Sequence, residues 1–154
     1  MSDIEAEVRH NAGFLIWRVS MGWRAAMDRV LEPLGLTQAQ YAVLAPLYGL
    51  SRSGARPSQR ELADLTGLDA VYISKLVRAL ERAGLVERSV STVDTRAVEL
   101  TLTDHGIATV REAMPLVIRL RDELSQPLGG IDGERTRLLA EMLGELLDAP
   151  ELRR

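Results

Sequence analysis

The side chains best equipped for chemistry in this chain are ones that bind, not ones that react. Lys75 and Arg78 stand three apart and share a helical face with Val71, Tyr72 and Ser74. The opposite face carries Ile73, Leu76, Val77 and Leu80 in the i, i+3, i+4, i+7 pattern of an amphipathic helix. A helix that packs through the second set presents the first set outward, and the N-terminal part of such a helix fits a DNA major groove. There Lys75 could reach guanine acceptors or a phosphate, Ser74 several base edges, and Val71 and the Tyr72 ring the methyl groups of thymine. The competing reading is an ordinary solvated face with Tyr72 half-buried on a neighbour.

Arg96 lies in a polar turn two residues after Asp94. A guanidinium at such a tip can enter a narrow minor groove, where negative potential is concentrated. Asp94 could hold it in place by a charge-assisted hydrogen bond; a plain surface ion pair is the alternative. Arg88, Ser58 and Gln59 are further candidates, for phosphate contact. The free amides of a helix start favour an anion near Ser58 and Gln59. Ser58 has a sufficient structural role as well, because Glu61 three residues later completes the spacing of a capping box.

The elements that position these residues occupy 57–96. Ser58 and Glu61 open a first helix with Leu62 and Leu65 inward, and Gly67 can end it in the left-handed conformation. Asp69 can cap a second helix that Gly84 closes. Two short helices joined by a glycine turn make a helix-turn-helix. A strand from Leu85 to Arg88, a polar turn over 89–95, and an alternating strand from Ala97 to Leu102 with Val98, Leu100 and Leu102 inward add a wing.

Around this core the chain reads as helix. One long helix is expected over 4–34, with Leu15, Val19, Ala26 and Val30 in one apolar stripe and Ile16, Trp23, Met27 and Leu34 in a second. Thr37 and Gln40 repeat the capping-box spacing and open a helix to about Leu50, which Pro46 should kink or shorten. Thr103 should cap a helix over 104–128 with a kink at Pro115, and a last helix covers about 132–148. The outer helices hold more apolar surface than one small domain can cover, so a partner surface is expected, most simply a second copy.

Composition limits the function classes. The chain has 154 residues, 46% hydrophobic and 27% charged, with a formal net charge of −3. Residues 52–96 hold eight basic and six acidic side chains, a local balance of +2, leaving 11 basic and 16 acidic elsewhere, or −5. That asymmetry by itself favours a nucleic-acid partner only weakly. With no cysteine, disulfides and thiol sensing do not operate, and His10 and His105 alone make a zinc site improbable. No cofactor is expected. A phosphate loop, a nucleophile elbow and a metal-ligand motif are all missing, so no enzyme is expected. The first ten residues are unlike a secretory signal, and no run is long and apolar enough to span a membrane. A cytoplasmic protein without a membrane partner is therefore expected.

The segments LGLTQAQYAVL (34–44), PSQRELADLTGLDAVYISKLVRALERAGLVER (57–88) and VDTRAVELTLTDHG (93–106), with the final amphipathic helix, resemble the MarR family of bacterial transcription regulators. The resemblance covers nearly the whole chain in family order, and its most specific piece is the wing. It implies a mainly α fold with a small antiparallel β-wing: a winged helix-turn-helix over about 36–102, flanked by dimerisation helices at about 4–34 and 104–148 in a single domain, 1–154. It also implies a homodimer on a near-palindromic double-stranded operator, often acting as a repressor, with half-sites about 34–36 Å apart. At Thr95 the chain departs from the family, where a second basic residue is common, so one phosphate or groove contact is expected to be missing.

Many such proteins release DNA when a small aromatic or phenolic molecule binds. Here Trp17, with Phe14, His10 and Arg18, could form an aromatic wall with a cationic or donor group, and Tyr41 is a further candidate. Core packing remains the competing reading for these aromatics, one tryptophan being expected in the dimer core. The other reading for the chain as a whole is a winged helix used only for protein interaction, with DNA binding lost.

Overall fold

The computed structural model describes residues 10–91 and 94–152. The chain divides at 114/115 into two compact units. In the first, helix α1 (Ala12–Leu31) leads into a 3-10 turn at Glu32–Leu34, followed by α2 (Gln38–Ser51), α3 (Gln59–Thr66) and α4 (Ala70–Arg82). Strands β1 (Val86–Val90) and β2 (Val98–Leu102) then pair antiparallel, with Val86 opposite Leu102 and Val90 opposite Val98. Helix α5 (Asp104–Ser125) begins in this unit.

The single helix expected over 4–34 is corrected at both ends. Asn11 interrupts it in extended conformation and caps α1, its carboxamide oxygen accepting from the Phe14 amide at 2.9 Å. Residues 1–9 lie outside the described part. At the other end Pro33 confines 32–34 to a 3-10 turn, since proline carries no amide to continue the ladder. Pro46 does not shorten its helix; α2 runs through it to Ser51. Both capping boxes form, at Thr37/Gln40 and Ser58/Glu61.

The core of this unit is made by Leu31, Val43, Leu44, Leu47, Leu62, Ile73, Val77, Leu80, Leu100 and Val110, all fully buried. In α3 the inner face is Leu62 and Ala63, and Leu65, expected inward, is 62% exposed. At about 100° per residue, Leu62, Thr66 and Ala63 span one arc, and Leu65 falls about 60° outside its edge. Thr66 closes that arc by turning its hydroxyl back onto the Leu62 carbonyl at 2.6 Å. In β2 only Leu100 is fully buried; Val98 and Leu102 are half-covered, so the alternation holds in direction and not in depth.

Two connections make the winged region one body. The Leu100 amide donates to the Pro57 carbonyl at 3.0 Å and Ser58 bridges to Glu99, so the segment entering α3 lies along the free edge of β2. Arg111 of α5 donates from Nε to the Tyr48 hydroxyl of α2 at 3.2 Å, and that bond lowers the tyrosine's pKa below its ordinary value.

The second unit holds the rest of α5, a 3-10 turn at Gln126–Leu128 and α6 (Glu134–Leu147). The helix expected over 104–128 therefore ends at Ser125, where Pro127 repeats the stop seen at Pro33. The reversal is tight: a Cβ on Gly133 would lie 2.6 Å from the Leu128 carbonyl oxygen. The Asp122 carboxylate accepts from the Ile131 amide at 2.9 Å and fixes the turn. No residue of α6 is buried, and Leu138, Leu139, Met142, Leu143, Leu146 and Leu147 are exposed.

Candidate nucleic-acid interface

Helix α4 starts where the sequence places it. Asp69 is extended, and its carboxylate accepts from the Val71 and Tyr72 amides at 2.8 and 3.2 Å. Satisfying those free amides fixes the direction in which the first turn leaves the protein. Ile73, Leu76, Val77 and Leu80 are buried, as the periodicity expects. On the other face Val71, Tyr72, Lys75 and Arg78 are exposed and Ser74 is half-buried. Among the described residues no carboxylate lies within ion-pair distance of Lys75 or Arg78. Both cations are thus open to an external anion.

The wing carries the second group. The Asp94 carboxylate accepts from the Arg96 amide at 3.0 Å and from Arg96 Nε at 3.3 Å. The Arg96 side chain is 89% exposed, so the pair aims the guanidinium without covering it. The Asp94 amide in turn donates to Ser91 Oγ at 3.3 Å. Thr95 is exposed in the turn between Asp94 and Arg96. Residues 92 and 93 are outside the described part.

The start of α3 lies beside the wing. Ser58, Gln59, Arg60, Asp94, Arg96, Ala97 and Val98 line a concave surface of about 580 Å³. The Ser58 hydroxyl is committed to the capping box: it donates to Glu61 Oε2 at 2.9 Å and accepts from the Glu61 amide at 3.2 Å. The bonds that the Ser58 amide, at 2.7 Å, and the Ser58 hydroxyl donate to the Glu61 carboxylate, the amide's foremost, hold that carboxyl below its ordinary pKa. The side-chain oxygen of Gln59 is shielded from solvent and has no hydrogen-bond partner. Arg60, exposed on this surface, was not singled out by sequence reasoning; its place in the first turn of a capped helix is the signal that could have found it.

Arg88 sits differently. Its Nε donates to Glu81 Oε2 of α4 at 2.8 Å, and the two side chains are 30% and 37% exposed. Glu81 was also missed, because its contact depends on how the wing leans against α4.

Of the five residues suggested for an effector, three come together. The Phe14 and Trp17 rings are 5.7 Å apart, and the Arg18 guanidinium lies 6.0 Å from the Phe14 centroid. Trp17 is 57% exposed, which excludes core packing within the chain. His10 precedes the Asn11 interruption and Tyr41 stands half-buried at the start of α2, each on a separate element.

Among the described residues no group of three or more His, Asp or Glu is placed to hold a metal ion. No described helix is long and apolar enough to cross a membrane.

Two short capped helices, a paired wing and open cations on both define a winged helix-turn-helix of the nucleic-acid-reading class. The MarR family's sequence model matches residues 34–97. An HTH-type transcriptional regulator of Bacillus subtilis strain 168, YdcH, is 32% identical over 108 residues, covering 70% of this chain and 74% of that protein. The chain belongs to the MarR family. Its fold matches that of a mutant MarR from E. coli complexed with operator DNA, with a TM-score of 0.79 and 28% identity over 95% of this chain and 99% of the other. It also matches the transcriptional repressor CouR bound to a 23-mer DNA duplex, with a TM-score of 0.79 and 30% identity over 91% and 94% of the two chains.

Proposed function

We propose that the chain regulates transcription by binding double-stranded DNA in a sequence-specific way, as a homodimer on a near-palindromic operator, and that it acts as a repressor. The observation that carries this is the pair of open cations Lys75 and Arg78 on the outer face of α4, with the Asp94-held Arg96 on the wing. In this reading α4 lies in the major groove, with Val71, Tyr72, Ser74, Lys75 and Arg78 toward the bases, and Arg96 reaches the minor groove. Gln59, Arg60 and the start of α3 face phosphates. Relatives of the same fold bound to DNA favour this over a winged helix that only assembles with proteins.

The second copy would cover the exposed apolar side chains of α6 and of the first half of α1, where Leu15, Ile16 and Val19 are exposed. Dimer symmetry would then set the half-site spacing to about one turn of DNA, 34–36 Å. The acid-rich remainder of the chain lies outside the reading stretch, which keeps the repulsion from phosphates away from it. Nothing in this reading calls for a reaction, a cofactor or a metal; the protein works by binding.

A small aromatic or phenolic acid as effector is supported by one observation, the pairing of half-buried Phe14 with exposed Trp17 and Arg18 beside them. An aromatic wall next to one cation suits such a ligand. Selection of bound sequences from random DNA tests the main reading, with an inverted repeat expected and no enrichment overturning it. Quenching of tryptophan fluorescence by salicylate-like acids, lost in Trp17→Phe, tests the second.

A further inference from the structure

Arg88 stands out among the basic residues near the reading face because its ion pair is partly covered, whereas the Arg96–Asp94 pair is open to solvent. Side chains alternate along a strand, so Arg88 shares a face of β1 with Val86, which is 2% exposed, while Glu87 and Ser89 point the other way. That face is covered by the domain at Val86 and opens to solvent at Val90, 63% exposed. The guanidinium meets Glu81 on the last turn of α4, at 2.8 Å, with both side chains about two-thirds covered. Lys75 and Arg78, by contrast, meet no described carboxylate, and the Arg96 guanidinium stays almost wholly in solvent.

We propose that Glu81 and Arg88 form a latch that sets the angle between the recognition helix and the wing, so that Arg88 is a positioning residue and not a phosphate contact. This rests on the DNA-binding reading. The α4–β1 connection is three residues long, and the pair adds a side-chain bond between β1 and α4 to the bonds that tie β2 to the start of α3. The pair fixes a strand residue midway along β1 to a helix residue seven positions earlier, across the turn at Gly84. It thereby couples the depth of Arg96 in one groove to the seating of Lys75 in the next. It also neutralises Glu81, a carboxylate on the reading helix that would otherwise repel the DNA backbone.

The two roles for Arg88 separate by salt. A phosphate contact contributes about 0.9 to the slope of log affinity against log salt, whereas a latch contributes nothing to it. Operator affinity is measured against salt for wild type, Glu81→Gln, Arg88→Gln, their combination, and the exchanged pair Glu81→Arg with Arg88→Glu. The latch predicts a loss of about two- to fivefold for each single variant, with unchanged slopes. It predicts no further loss in the double variant and recovery in the exchanged pair. A flatter slope in Arg88→Gln, with Glu81→Gln binding as well as or better than wild type, overturns it.

Hydrogen exchange of the Ser91 amide, which donates to the Ala97 carbonyl across the wing at 3.0 Å, supplies a readout in the free protein that needs no DNA. Faster exchange in Glu81→Gln and Arg88→Gln at unchanged melting temperature is expected; exchange equal to wild type overturns the latch. Wild-type protein that selects no DNA sequence, with exchange behaving as expected, would remove the DNA reading and leave the latch.

Discussion

Thr103 donates its hydroxyl to the Gly84 carbonyl at 2.6 Å and accepts from the Gly106 amide at 2.9 Å, joining the end of α4 to the first turn of α5. The Thr103 amide adds a bond to the Leu85 carbonyl at 3.1 Å. The start of α5 is therefore fastened to the end of α4 by three hydrogen bonds through one residue.

The junction depends on a missing side chain. A Cβ on Gly106 would lie 2.0 Å from the Leu85 carbonyl oxygen, far inside contact distance. Gly106→Ala should destabilise the protein by about 1–3 kcal/mol, although alanine is ordinarily the better helix former. Gly49 is a control with nothing within 4 Å of its virtual Cβ; Gly49→Ala should stabilise by about 0.5–1 kcal/mol. Urea denaturation of both variants checks the contrast, and equal signs would contradict it.

The capping box at α3 gives a pH signature. The Ser58 amide and hydroxyl depress the Glu61 pKa in the folded state, so its stabilisation is present above the ordinary value of 4.5 and is lost as pH falls through the folded value. The stability gap between wild type and Glu61→Gln should be full at pH 7 and shrink below pH 4.5. Ser58→Ala should cost about 0.5–2 kcal/mol at pH 7. A gap independent of pH would contradict the assignment.

At the wing, Thr95 is exposed beside Arg96. Thr95→Arg should add a backbone contact and steepen the salt dependence of operator affinity by about one unit of slope. Asp94→Asn should weaken binding by freeing the Arg96 side chain that Asp94 now holds. Identical slopes for wild type and Thr95→Arg would reject the missing contact.

The exposed face of α6 predicts the assembly state. Two charges on that face, Leu139→Glu with Leu146→Glu, should convert a dimer to a monomer in sedimentation equilibrium and abolish operator binding at nanomolar protein. A dimer unchanged by both substitutions would place the interface elsewhere.

Much of the reading head was legible in the sequence because its rules are local. The caps at Thr37, Ser58 and Asp69 and the buried quartet of α4 follow from spacing over four to eight residues, and each forms. Leu65 was misread because two turns of helix leave the direction of the apolar arc ambiguous, and only packing against neighbours settles it. The stops at Pro33 and Pro127 were readable and overlooked under a continuous apolar pattern. The Asn11 interruption is subtler, since an asparagine inside such a pattern becomes a cap only when the backbone opens around it. The Arg88–Glu81 pair was beyond reach, because it depends on the lean of the wing. Periodicity does not encode that angle.

The central claim is that α4 reads DNA with Lys75 and Arg78. Its most direct test is the affinity of Lys75→Ala, Arg78→Ala protein for the operator selected by wild type. A loss on the order of 10- to 100-fold, with relaxed sequence preference and a shallower salt slope, is predicted. Unchanged affinity and preference in a folded, dimeric variant would contradict it.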